Sequence, residues 1–279
     1  MANYTAADIK ALRERTGAGM MDVKKALDEA NGDADKAMEI IRVKGLKGAT
    51  KREGRSAAEG LVTAKVVDGT VGVMVEVNCE TDFVAKSDKF IALAEKVLDV
   101  AIASGAADAE ALQAAEVDGK PMPEFVIEEA AALGEKVVVR RVARVEGALV
   151  DAYLHRTSKD LPAQVGVLVA VDKAGDEAGT AAHDVAVHSA AMAPTYVTRD
   201  EVPAETVENE RRVAEETAKA EGKPEAAMTK IVEGRLTGYF KEVVLVDQAF
   251  AKDTKKSVGK VLEEAGVAAT GYARFRVGS

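Results

Sequence analysis

The spacing of hydrophobic positions changes character along the chain. Over residues 5–45 apolar side chains recur at helical intervals. Ile9 and Leu12 mark a first helix, Val23, Ala26 and Leu27 a second, and Ala37, Ile40 and Ile41 a third. Thr5 with Asp8 makes a weak capping box, Gly17-Ala18-Gly19 permits a tight turn, and the second helix starts near Asp22. Asn31-Gly32 closes that helix, Asp33 caps the next, and Gly45 is the expected end of the third. Forty residues of this kind predict a small three-helix module over 1–45, suited to docking rather than to chemistry. The run from Arg42 to Arg55 is basic and contains glycine, so 46–58 reads as a solvated linker, with contact to RNA or to an acidic surface as the other reading.

From Glu59 the period becomes two. Leu61 to Val67 and Val71 to Val77 are β-rich and flank Asp68-Gly69, a strong hairpin signal. Residues 89–103 then form an amphipathic helix through Phe90, Leu93, Ala94, Val97, Leu98 and Ala101, and Val137 to Val145 is a further strand. The pattern returns. Glu146-Gly147 echoes Glu59-Gly60, Leu149 to Tyr153 echoes Leu61 to Lys65, and Val165-Gly166-Val167 echoes Val71-Gly72-Val73. A second helix over 179–192 follows, ended by Pro194. This is an internal duplication of a hairpin-plus-helix unit. The predicted fold is therefore α+β, with core subdomains over 59–140 and 141–279 packed as one core.

The copies differ in the connection from second strand to helix. The second copy uses Asp172 to Ala178, an ordinary polar loop. The first places Phe83 and Val84 inside Asn78 to Asp88, where polarity is expected. An aromatic there is either folded back into the core or offered to a partner, and the pattern alone favours the core. Residues 204–241 read as two helices around Glu221-Gly222-Lys223-Pro224, a helical hairpin projecting from the core with a thin Val207, Ala214, Ala218 seam. Residues 255–279 supply a short helix and a strand, Gly271 to Val277, that completes the second sheet.

Composition narrows the function. The net charge of −9 argues against broad nucleic-acid binding, although residues 1–55 carry twelve Lys/Arg against nine Asp/Glu. Trp is absent and aromatics are 4%, too few for single-strand stacking platforms. No Gly-x-x-x-x-Gly-Lys-Ser/Thr loop occurs, so nucleotide binding by the chain itself is not expected. One cysteine and three histidines offer no metal-ligand spacing; no metal or cofactor is expected. Cys79 fits a small buried residue at a strand end better than a nucleophile, because no Cys–His motif accompanies it. No stretch reaches the ~20 apolar residues of a membrane span. Met1-Ala2-Asn3-Tyr4 has no basic or apolar leader, so a cytoplasmic location is expected. A thiol-dependent hydrolase built on 78–88 and an RNA-binding factor built on 42–55 are the alternatives from other classes.

Several motifs, in order, are similar to one family. Leu12 to Asp22 (Leu-Arg-Glu-Arg-Thr-Gly-Ala-Gly-Met-Met-Asp) resembles the opening signature of the elongation factor Ts family, and Asn78 to Ala85 its second. His188-Ser189-Ala190-Ala191 with Pro194 is similar to a motif of its second core half. Gly222-Lys223-Pro224 and Ile231 to Leu236 resemble its helical hairpin. The resemblance implies a UBA-like N-terminal module, a coiled-coil hairpin, and a guanine-nucleotide exchange factor, not an enzyme, that acts on elongation factor Tu during translation. It implies that Asp82 and Phe83 enter the partner's GTPase domain and disturb its magnesium site and phosphate loop. Thr81 and Val84 would hold that loop. Leu12, Met20, Met21 and His188 would be docking contacts. Met20 and Met21 could equally fill the module's core, and it is mainly the resemblance that favours docking.

Overall fold

The computed structural model describes residues 3–16 and 18–279, with the side chains at 46, 47, 49 and 50 left aside. Gly17, the leader reading at Met1-Ala2 and the side chain of Lys47 in the basic run lie outside the described residues. The N-terminal module is α1 (Ala6–Thr16), α2 (Met20–Glu29) and α3 (Ala34–Arg52). Its caps follow the sequence: the Thr5 amide donates to Asp8 Oδ2 (2.7 Å), and Asp33 Oδ1 accepts from the Asp35 and Lys36 amides (3.1 Å each). Its core is Leu12, Val23, Ala26, Leu27, Ala30 and Ala37.

The third helix does not stop at Gly45. It continues through the basic run to Arg52, so most of the expected linker is helical. Gly45 is a packing point instead. A Cβ placed there would lie 3.0 Å from Ala131 Cβ on α7 (Met122–Leu133), against which α3 rests. Arg42 pairs with Glu124 and, at 2.7 Å, with Glu128 of that helix, and Lys44 pairs with Glu29. These cations are occupied by the protein's own carboxylates.

The remaining elements, in chain order, are β1 (Glu59–Val67), β2 (Val71–Cys79), α4 (Asp82–Ala85), α5 (Asp88–Ser104), α6 (Ala109–Gln113), β3 (Glu116–Val117), β4 (Lys120–Pro121), α7, β5 (Val138–Glu146), β6 (Leu149–His155), β7 (Val165–Val171), α8 (Asp176–Met192), α9 (Ala204–Ala220), α10 (Met228–Val243), β8 (Ala249–Phe250), β9 (Asp253–Ser257), α11 (Val258–Glu264) and β10 (Ala269–Arg276). Two antiparallel three-stranded sheets result, ordered β1-β2-β5 and β6-β7-β10. Each has the same plan: a hairpin, a helix across one face, an insertion, and a third strand returning beside the middle one. Asp68 and Gly69 both take positive φ (50° and 72°), the type I′ geometry an Asp-Gly hairpin turn requires.

Alternation along the strands sorts side chains into three cores. Val73, Val75 and Val77 pack under α5 with Phe90, Leu93, Val97 and Leu98. Val167, Val169 and Val171 pack under α8 with Ala178, Ala182 and Val185. The other sheet faces meet each other through Val62, Met74, Val145, Val150, Leu168 and Phe275, giving helix–sheet–sheet–helix layers. The repeated glycines explain how closely the sheets approach. A Cβ at Gly72 would lie 2.8 Å from Val150 Cγ1, and one at Gly166 2.5 Å from Val62 Cγ1 and 2.6 Å from Met74 Sδ. An ion pair between half-buried Arg141 and buried Glu76 ties the same interface. Arg141 Nε donates to Glu76 Oε2 (2.6 Å), Arg141 Nη2 to the Arg276 carbonyl (2.8 Å), and the guanidinium lies 4.6 Å over the Phe275 ring.

The helical hairpin forms as expected, with Ala214 and Ala218 of α9 against Met228, Val232 and Leu236 of α10. Elements α6, β3, β4, α7, β8 and β9 had no counterpart in the sequence reading. Most are two to five residues long, too short for a periodicity to show.

Candidate partner-binding site

The first-copy connection is a built structure rather than a loose loop. Strand β2 ends at buried Cys79, whose Sγ donates to the Thr81 carbonyl (3.3 Å). Burial pushes the Cys79 thiol up to about 12, so it stays protonated and unreactive at neutral pH. Thr81 caps the four-residue helical turn α4, its hydroxyl accepting from the Val84 amide (3.4 Å). Ser87 closes that turn by donating to the Val84 carbonyl (2.8 Å) and opens α5 by accepting from the Phe90 amide (3.3 Å).

One helical turn must put some positions in and others out. Ala85 is fully buried and Val84 packs partly on the core beneath α5. Phe83 therefore points away and is 74% exposed. The sequence pattern favoured the core for this aromatic; the turn geometry decides otherwise. Lys86 Nζ lies 4.5 Å from the Phe83 ring centroid and 3.6 Å from Asp82 Oδ2, holding ring and carboxylate side by side.

A brace from outside the turn completes the site. Glu135, just after α7, accepts the Glu80 and Thr81 amides on Oε2 (3.0 and 3.1 Å) and the Thr81 hydroxyl on Oε1 (2.6 Å). Glu80 in return accepts the Lys136 amide (2.7 Å), which holds its carboxyl below the usual carboxylate range, with Arg55 nearby adding to the effect. Glu135 was not among the residues expected from the sequence. It lies 54 positions from Thr81 in a segment that gave no pattern.

The expected docking residues divide. Met20 and Met21, at the start of α2, are 59% and 62% exposed, so the three-helix core forms without them. Leu12 is only 2% exposed and belongs to that core. His188 is also buried, at 1%, because α8 presents this face to the second sheet and to the segment after α10. Its Nδ1 accepts the Ala251 amide (3.1 Å), which makes Nε2 the protonated nitrogen that donates to Gln248 Oε1 (2.9 Å). Gln248 in turn donates to the Met192 and Glu242 carbonyls. Leu12 and His188 therefore offer no surface of their own; each supports residues around it. His155 and His183 are exposed and bond to Tyr153 and Asp151 respectively. Among the described residues no group of three His, Cys, Asp or Glu side chains stands close enough to hold a metal ion, and no helix is long and apolar enough to cross a membrane.

The fold thus holds a large aromatic in solvent on a capped and externally braced turn, carried by a two-sheet scaffold. Comparison with known proteins is specific. The family model described as "Elongation factor TS" matches residues 80–279. The chain is 79% identical to the Elongation factor Ts of Arthrobacter sp. (strain FB24), 74% to that of Micrococcus luteus and 59% to that of Kineococcus radiotolerans, each alignment covering the whole of both chains. The chain thus belongs to the elongation factor Ts family, a family of translation elongation factors that serve protein biosynthesis.

Proposed function

We propose that the chain is a guanine-nucleotide exchange factor that binds elongation factor Tu·GDP, disturbs its magnesium and phosphate site, and promotes GDP release so that GTP can rebind. The observation that carries this reading is Phe83, 74% exposed on the braced turn 81–85. An aromatic that loses this exposure in a partner's interior gains about 2 kcal/mol, which contributes toward separating packed elements around a bound nucleotide. Asp82 beside it brings negative charge toward the phosphates, and Mg²⁺ and phosphates hold each other, so weakening one weakens both. Thr81 and Val84 fix the turn. Met20 and Met21 supply a polarisable docking surface, Leu12 sets the helices that carry them, and His188 fixes α8 against the base of α10.

The coupling is reciprocal: the factor lowers nucleotide affinity by the ratio in which nucleotide lowers affinity for the factor. Release and rebinding are both accelerated, and no covalent bond is made or broken. The chain needs no cofactor and binds no nucleotide or nucleic acid of its own; it works in the cytoplasm beside its GTPase partner. Stopped-flow release of a fluorescent GDP analogue from elongation factor Tu tests this. Large acceleration by the wild type, much reduced in Phe83→Ala, is the expected result. Acceleration that survives the variant would move the mechanism elsewhere, and no acceleration with a matched partner would overturn the function.

A further inference from the structure

The turn that carries Phe83 is only four residues long, too short to be stable alone. Its order must come from elsewhere, and the hydrogen bonds show from where. Helix α7 stops at Gly134, whose φ of 78° redirects the chain. That reversal delivers Glu135 and Lys136 to the foot of the turn. The Glu135 carboxylate takes three donors from Glu80 and Thr81, and the Glu80 carboxylate takes the Lys136 amide. Each segment thus lends a carboxylate to the other's backbone. Bonds to an ionised acceptor are roughly twice as strong as neutral ones.

The same point collects the exit from the N-terminal module. Lys136 Nζ donates to the Glu53 and Arg55 carbonyls (2.5 and 3.1 Å), and Arg55 Nη1 reaches the Glu80 carboxylate (3.4 Å). Three segments distant in sequence therefore meet at the base of one exposed aromatic.

We infer that Glu135 is the positioning residue of the exchange loop: it touches neither nucleotide nor partner, and it holds the Thr81–Ala85 turn in the geometry from which Phe83 is inserted. This rests on the exchange reading above. Docking through Met20 and Met21 does not need the brace. Insertion of Phe83 after docking does, because only the fraction of molecules with an ordered turn is competent. Removing the brace lowers the maximal exchange rate and leaves the half-saturating concentration nearly unchanged.

The test compares wild type, Glu135→Ala and Glu135→Gln in two measurements on the full chain. One is amide hydrogen exchange over residues 80–86. The other is release of the fluorescent GDP analogue from elongation factor Tu across a concentration series. Glu135→Ala is expected to lose protection of the turn and about 10-fold in maximal rate, with half-saturation moving by less than about twofold. Glu135→Gln keeps an oxygen for the two amides but loses the charge; it should recover most of the protection and fall only about threefold in rate. If the alanine variant does not fold, the glutamine variant carries the same comparison. An active wild type beside a variant with unchanged rate, or with lost rate but an unchanged turn, overturns the positioning role. A wild type that does not accelerate release overturns the exchange reading itself, a result the variants cannot produce.

Discussion

The two strand-to-helix connections are the instructive pair. In both units a middle strand, β2 or β7, feeds a 17-residue helix across the same face of the same kind of sheet. In the second unit the link is short and solvent-exposed, tied to the chain just before β10. Asp172 Oδ1 accepts the Ala268 amide (2.8 Å), Lys173 Nζ donates to the Gly266 carbonyl (2.6 Å), and the chain enters α8 directly. In the first unit the link contains an additional helical turn, two capping hydroxyls, an external carboxylate and an exposed phenylalanine. The duplicated scaffold thus serves stability in both halves, while the candidate function sits in a connection where the halves diverge. That agrees with the general rule that sites are grafted onto folds rather than implied by them.

The shared part of the comparison can be broken at its glycines. Gly166→Val should destabilise the protein by about 3 kcal/mol, because the side chain must enter space held by Val62 and Met74. Gly72→Val should cost a similar amount, about 2–3 kcal/mol, against Val150 and Leu168. Urea midpoints for both variants decide the matter. A large loss at one position only would mean that the sheets do not depend equally on close approach.

The divergent part is sharpened by pairing substitutions in the two connections. Phe83→Ala should cut the maximal GDP-release rate about 30-fold, the equivalent of about 2 kcal/mol. Asp176→Ala, in the second connection, should change it less than about twofold. The double variant Met20→Ala/Met21→Ala should raise the half-saturating concentration about 5-fold and leave both the maximal rate and Tm in place, since neither side chain helps to fill the module's core. A change confined to affinity in every variant would remove the proposed division between docking and exchange.

Smaller effects should appear as a dependence of stability on pH. Burial lowers the His188 pKa below its ordinary 6.5, and its Nδ1 is already used as an acceptor. The unfolded chain takes up this proton more readily than the folded one, so stability falls as pH drops below about 6.5. Cys79 shows the opposite limb. Its thiol is raised from 9.0 to about 12, so the unfolded chain loses the proton first and stability falls as pH rises above about 9. Tyr272 on β10, raised from 10.0 to about 12 by burial, adds to the alkaline limb. Urea midpoints at pH 5.5, 7.5 and 9.5 should show both declines. His188→Gln should flatten the acid limb and Cys79→Ala the alkaline one.

Much of this molecule was written locally. Helix caps at Thr5 and Asp33, the Asp68-Gly69 turn, the strand alternation and the repeat of Val71-Gly72-Val73 at Val165-Gly166-Val167 depend on neighbours a few residues apart. Local spacing therefore determined the three helices, the two hairpins and the helical arm, while the run 80–85 stood out through its resemblance to a family signature. The tertiary structure decided whatever depends on distant partners. Gly45 reads as a helix stop until Ala131 is seen beside it. Leu12 and His188 read as contacts until their neighbours bury them. Phe83 reads as core because a residue's polarity does not say which side of a single turn it occupies; Val84 and Ala85 take the inner side and leave it the outer one. Glu135 gave no signal at all, because a carboxylate after a glycine is ordinary until the fold sets it under Thr81, where it accepts three hydrogen bonds.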